Sequence, residues 1–311
     1  ISEVNFCNKL LGNELLAESL QLGIDVRLNT EVVGIEKDQK VWAVENRTRS
    51  YVIDADRIII ATGATENALS FEGWTLPGVM TAGCAQTLIN VHRVLPGHCV
   101  LMVGSGNVGV IVAYQLLQAG AEVAAVIEAA PNLGGYGVHT AKVRRAGVPF
   151  FTSTTVIKAE GKESVERAVI ANVDSKFIPI AGTEKILDVD TICIAVGLTP
   201  SIELASLAGC GMMYVPELGG NMPIHNEYMQ TTIETVYIAG DIAGVEEAST
   251  AMEEGRLAGI HAAWAMGYMT EQEMQSKTEK TRERLAALRQ GIFGLKRLIA
   301  KERVIQRGIA Q

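Results

Sequence analysis

The sequence predicts an α/β protein of two similar domains, one nested in the other, each with a parallel sheet and a small antiparallel meander. Three observations lead there. The chain of 311 residues is 48% hydrophobic with 31 glycines and 5% aromatics, which suits packed α/β layers with tight turns. Two stretches of sequence recur within the chain. One segment runs strand, glycine-rich turn, helix, strand.

The repeat has two parts. LGIDVRLNTEVVGIE (Leu22 to Glu36) resembles AGVPFFTSTTVIKAE (Ala146 to Glu160), and IDADRIIIATGAT (Ile53 to Thr65) resembles LDVDTICIAVGLT (Leu187 to Thr199). Val32 matches Val156, and Gly63 matches Gly197. Short alternating segments such as KVWAV and RAVIANV lie between the members of each pair and read as meander strands. Ahead of the first copy, Leu10, Leu11, Leu15, Leu16 and Leu20 predict a helix over Lys9 to Gln21.

The second copy shows its opening element. HCVLMV (His98 to Val103) reads as a buried strand, GSGNVG (Gly104 to Gly109) as the turn, and the helix should end at Gly120. AEVAAVIE (Ala121 to Glu128) is the next strand. This βαβ unit is the Rossmann-like signature of a dinucleotide site. Gly104 permits the tight turn, Gly106 lets backbone approach a pyrophosphate, and Gly109 lets helix and strand pack. Asn107 and Val108 open the helix whose positive end faces the phosphates. Glu128 lies 22 positions after Gly106, where an acid accepts from the adenosine ribose hydroxyls. No Arg follows it, which favours NAD over NADP. In the first copy the equivalent turn would fall before Ile1. The chain starts Ile-Ser-Glu without Met, so that fingerprint is expected upstream.

Small residues at the ends of buried strands, Ala61-Thr62-Gly63 and the equivalent turn at Gly197, let the chain pass close to a nucleotide. The strand Val236 to Ala239 should return to the first sheet. There Gly240-Asp241 would turn it into a helix from about Glu247 to Trp264, and the Asp241 carboxylate would serve a flavin. Val32, in the first copy's opening strand, joins this flavin set. The expected domains are residues 1–97 with 222–270 for FAD, N-terminally incomplete, enclosing 98–221 for NAD. A helical tail covers 271–311.

The remaining features exclude more than they assign. A net charge of −8 argues against a nucleic-acid face. The cysteines Cys7, Cys84, Cys99, Cys193 and Cys210 form no C-x-x-C pair and sit at no metal spacing; they read as buried, reduced thiols, which points to the cytoplasm. No metal site, secretory signal or membrane span is predicted. His92, His98, His139, His225 and His261 read as structural, and no catalytic residue announces itself. GGYGVH (Gly134 to His139) reads as an exposed loop or as cover for the nicotinamide. In the tail, Leu285, Leu288, Ile292, Leu295 and Ile299 make an amphipathic stripe. It either packs on its own domain or docks a partner subunit, and its basic flanks beside an acidic body favour docking.

In this order the motifs resemble the FAD/NAD-dependent pyridine nucleotide-disulfide oxidoreductase superfamily, up to about Tyr268. ATGATENALSFEGWTLPGVMTAGCAQTLIN and GGYGVHTAKVRRAGVPF look closest to the larger, alpha-type subunits of sarcosine oxidase, opine oxidase, hydrogen cyanide synthase and dye-linked proline dehydrogenase. The resemblance implies FAD and NAD as cofactors, an oligomer, and a partner subunit that oxidises an amine or amino acid. Two alternatives stay open: a self-sufficient NADH-dependent flavin reductase, and a non-catalytic nucleotide-binding subunit. The family's C-x-x-C pair is missing, with Cys84 alone in its neighbourhood. A C-terminal cysteine cluster is missing too, so neither dithiol chemistry nor an iron–sulfur centre is expected.

Overall fold

The computed structural model describes residues 3–309, with side chains from residue 12 onward apart from residues 292 and 293. The chain divides into two compact units, each made of two separated segments. The first takes the N-terminal stretch through Val26 and Glu66–Gly197; the second takes Arg27–Thr65 and Leu198–Gln311.

The first unit is built on a five-stranded parallel sheet in the order Val79–Thr81, Thr191–Ile194, Cys99–Val103, Glu122–Ile127, Phe150–Phe151. A parallel sheet is covered on both faces, so its strands read as unbroken apolar runs. Alternate side chains therefore enter different cores. Val100 and Met102 pack with Val112, Ala113 and Leu116 of the helix Asn107–Ala119. Leu101 and Val103 pack with Val156, Ala168 and Ile170 of an antiparallel meander formed by Thr154–Glu160, Arg167–Asn172 and Lys185–Asp188. Gly120 ends the helix at φ 97°, its N–H returning to Leu116 and Leu117.

The second unit has its own meander, Thr30–Ile35, Lys40–Glu45 and Arg49–Asp54. It also has a parallel pair in which Val236–Ile238 aligns with Ile58–Ile60. Helix Ala248–Ala265 supplies Leu257, Ala258 and Ala262 to the core around that pair. Helices Glu271–Leu288 and Gly291–Ile309 follow. Thr270 caps the first of these, accepting from the Glu273 N–H while its own N–H donates to the Glu273 carboxylate.

The repeat in sequence is a repeat in conformation. Gly23 and Gly147 have φ 76° and 89°, Asn29 and Ser153 have 52° and 49°, and Gly63 and Gly197 have 72° and 111°. The meanders bulge at matched positions, between Val32 and Gly34 and between Val156 and Lys158.

The division falls at other residues than the sequence suggests. Residues 66–97 cluster with the first unit, because Val79–Thr81 pairs with Thr191–Ile194 at the sheet edge. A methyl group on Gly73 would overlap the Ala159 carbonyl oxygen. Residues 198–221 cluster with the second unit, where Ala205, Ala208 and Leu218 are buried. The tail also clusters there, with Leu285, Ala300 and Val304 in its cores. Of the expected stripe, Leu288, Leu295 and Ile299 stay exposed; the side chain of Ile292 lies outside the described residues. The tail is thus an integral layer of its unit.

Not every thiol is buried as expected. Cys193 and Cys210 are buried, Cys99 is partly so and Cys84 is exposed; Cys7 has no described side chain. Burial pushes the Cys193 thiol up to about 12, with Cys84 and Glu66 adding to it. Among the described residues no helix is long and apolar enough to cross a membrane.

His225 lies fully inside the second unit. Its Nδ1 faces the Asn226 carbonyl oxygen at 2.9 Å, and its Nε2 has no partner among the described residues. Burial first, then Lys301, lowers its pKa from 6.5 to about 3. A histidine kept neutral by folding adds stability above its unfolded pKa, which is lost as pH falls from about 6.5 towards 3. Denaturant midpoints should therefore fall over that window, and less so in His225→Leu. Equal slopes in both proteins would contradict this assignment.

Candidate functional site

The glycine turn of the first unit shows which glycines serve the fold and which leave room. Gly104 adopts φ 106° and donates to the Ile127 carbonyl at 2.8 Å. A methyl group on it would overlap the Ala195 carbonyl oxygen, and one on Gly109 would overlap the Gly104 carbonyl oxygen. The strand end at Ala195 thus passes directly against the turn. Gly106 differs: a methyl group there would meet no atom within 4 Å. It is the N-cap of helix Asn107–Ala119, and among the described residues no side chain caps that helix. A helix start with space in front of it and no capping side chain has N–H groups to offer an anion. Val108, in its first turn, is exposed. The residues therefore fit a dinucleotide pyrophosphate.

Glu128 sits at the end of its strand as expected, and its carboxylate already holds the turn. Oε2 accepts from the Ser105 N–H at 2.9 Å and the Ser105 hydroxyl at 2.6 Å, and Oε1 accepts from the Ala130 N–H at 2.9 Å. Oε2 is saturated by its two bonds from Ser105, but Oε1 keeps one acceptor site, so a ribose hydroxyl can share the carboxylate there. Ser105 is fully buried and also accepts from the Gly134 N–H at 2.9 Å. Sequence reasoning missed it because a Ser between two glycines has no signature of its own.

GGYGVH is not a free loop. Gly135 is buried, and a methyl group on it would stand 2.8 Å from the Ser105 carbonyl oxygen. The Tyr136 N–H donates to Asn107 Oδ1 at 2.8 Å, and a helix runs on over Gly137–Arg145. Asn107 therefore fixes the cover of the turn.

In the second unit the expected residues gather at the carboxyl ends of two paired strands. The Ala239 N–H donates to the Ile60 carbonyl at 3.0 Å, which sets Ala61–Gly63 beside Gly240–Asp241. Ala61 and Thr62 are exposed, and the Thr62 hydroxyl donates to the Ser201 carbonyl at 2.6 Å. Gly63, at φ 72°, has open space where a side chain would be. Gly240, at φ 77°, begins a 3-10 turn through Ala243. Asp241 is half-buried; burial raises its carboxyl, and the nearby Glu254 adds to this. Helix Ala248–Ala265 follows, with no side-chain cap at its start among the described residues. Val32 lies apart at its meander bulge, exposed. Exposed strand ends, a left-handed glycine with nothing beyond it and an uncapped helix fit an extended anionic cofactor.

Known proteins resemble this chain over most of its length. Hydrogen cyanide synthase subunit HcnB of Pseudomonas aeruginosa is 28% identical over 304 residues, covering 93% of this chain and 64% of that protein. An opine oxidase subunit of Agrobacterium tumefaciens is 29% identical over 258 residues, covering 71% and 49%. The chain thus spans roughly half to under two thirds of the length of these relatives. The crystal structure of T. acidophilum thioredoxin reductase superposes with a TM-score of 0.64 at 20% identity, covering 81% of this chain and 79% of that one. The family model for pyridine nucleotide-disulphide oxidoreductases matches residues 5–255. The chain belongs to the pyridine nucleotide-disulphide oxidoreductases, a family of FAD-dependent flavoprotein oxidoreductases that use FAD and NAD(P)H.

Proposed function

We propose that this chain is the FAD- and NAD-binding part of an amine or amino-acid oxidase or dehydrogenase complex, with NAD on the first unit and FAD on the second. The observation that carries the reading is the glycine turn, closed at Gly104 and Gly109 but open at Gly106, in a chain whose second unit repeats the same strand-end geometry. The subunit reading is supported by relatives that are themselves named as subunits of hydrogen cyanide synthase and opine oxidase. No C-x-x-C pair occurs within the 311 residues, so the reading involves no dithiol relay in this stretch.

Bound flavin and nicotinamide would supply hydride transfer. The chain's own residues bind and orient. Gly104 to Gly109 would hold the nicotinamide nucleotide's pyrophosphate, and Glu128 its adenosine ribose. Gly134 to Tyr136 brace the turn through Ser105 and Asn107. Ala61 to Gly63 and Gly240 would let the flavin lie against backbone, and Asp241 would accept from its ribityl or pyrophosphate region.

The full-length protein, purified natively, tests the reading. A co-purifying subunit that oxidises an amine or amino acid is expected. NADH-dependent dye reduction by this chain alone would instead favour a self-sufficient reductase. Glu128→Ala should weaken NADH binding by about 1–3 kcal/mol, the cost of losing hydrogen bonds to the ribose and the support of Ser105. Unchanged affinity by calorimetry would remove Glu128 from the site.

A further inference from the structure

The Gly240–Asp241 turn is held from behind by charges that the sequence places far away. Glu254, on helix Ala248–Ala265, is 2% exposed. Its Oε2 accepts from the Gly240 N–H at 3.1 Å, while its Oε1 accepts from Arg289 and Lys301, both at 2.7 Å. Glu246 makes a second arm. Its N–H donates to Asp241 Oδ1 at 3.4 Å, and its carboxylate takes Arg289 at two points, 3.0 and 2.6 Å. Lys301 is 1% exposed and lies 3.8 Å from Glu246 as well. Arg289 follows the first tail helix, and Lys301 is on the second.

A buried ion cluster is a poor means of holding two helices together. Desolvating the charges offsets most of their attraction, and apolar residues of the same size would serve as well or better. What such a cluster supplies is position, because each charge must meet its partner in one geometry. Here both carboxylates are fixed by tail cations, and each acid also touches the turn, Glu254 through its carboxylate and Glu246 through its backbone N–H. An adjacent pair gives the contrast. Glu253 binds Arg284 of the tail and Arg256 of its own helix, and neither contact involves Gly240 or Asp241.

We propose that the C-terminal helix pair is a clamp on the flavin turn, in which Arg289 and Lys301 act through Glu246 and Glu254 to position Gly240 and Asp241. The proposal rests on the reading of that turn as the flavin site. Arg289 and Lys301 are positioning residues: they act on the backbone N–H of Gly240 and the carboxylate of Asp241 through the two acids. Lys301 also keeps the field at the turn from becoming more negative, since it balances one of those acids.

The test uses the full-length protein and three variants. Lys301→Met removes one cation of the clamp, Lys301→Arg retains it, and Arg284→Met breaks the adjacent tail pair while leaving the clamp intact. Hydrogen exchange at the Gly240 amide needs no cofactor. It should speed up about ten-fold or more in Lys301→Met and stay near wild type in the other two. The FAD-loaded protein should show weaker flavin retention and a more negative flavin potential in Lys301→Met alone. If Lys301→Met fails to fold, Arg289→Lys replaces it, keeping the charge but losing the two-point grip on Glu246; faster Gly240 exchange and weaker flavin retention are expected there, with the flavin potential unchanged because the charge is kept. Equal exchange rates in the clamp variants and Arg284→Met would overturn the proposal. A wild-type protein that takes up no FAD would overturn the site reading instead, while the amide exchange would still decide the clamp.

Discussion

Gly104→Ala should cost the first unit about 3–5 kcal/mol. The residue sits at φ 106°, where an L side chain is strained, and its new methyl group would overlap the Ala195 carbonyl oxygen. A backbone oxygen cannot swing away as the end of a flexible side chain can. Relief would require Ala195, the end of a central strand, to move. Gly106→Ala supplies the comparison. Gly106 has φ −62° and ψ 173°, which any residue adopts, and there is open space around it. Its stability should change by no more than about 0.5 kcal/mol, yet NADH affinity should fall at least about ten-fold if a pyrophosphate fills that space. Denaturant unfolding with an NADH titration on both variants separates the two roles. Equal stability losses would show that Gly106 serves packing and leaves no room for a ligand.

Deleting the tail from Glu271 onward should destabilise the second unit by about 3–5 kcal/mol or more. Glu246 and Glu254 would lose Arg289 and Lys301, leaving two buried carboxylates without a compensating cation. The core would also lose Leu285, and Ala300 and Val304 would no longer cover Leu218 and Met222. An unfolding transition at the wild-type midpoint would show instead that the tail is an appendage.

The sequence displayed some of this plainly. Self-similarity at Gly23 and Gly147, and at Gly63 and Gly197, marks left-handed positions that a shared backbone path requires. The βαβ unit was readable because strand, glycine turn, helix and acid each carry a local signal. Other features had none. Val79–Thr81 is three residues long, too short for a period, yet it decides to which unit residues 66–97 belong. Ser105 matters through contacts to Glu128 and Gly134 that lie 23 and 29 positions away. The tail misled for a physical reason. Apolar periodicity predicts which face is buried only when burial is apolar, and here Arg289 and Lys301 go inside while Leu295 and Ile299 face outward. Paired charges in a core leave no periodic trace.

The central claim is that one chain holds a nicotinamide nucleotide on the first unit and a flavin on the second. An anaerobic NADH titration of the full-length protein, followed by its visible absorbance, tests it most directly. The expected result is a flavin spectrum before addition, bleaching as NADH is added, and loss of that response at low NADH in Gly106→Ala. A protein without flavin absorbance, or one whose flavin stays oxidised and which binds no NADH, would contradict it.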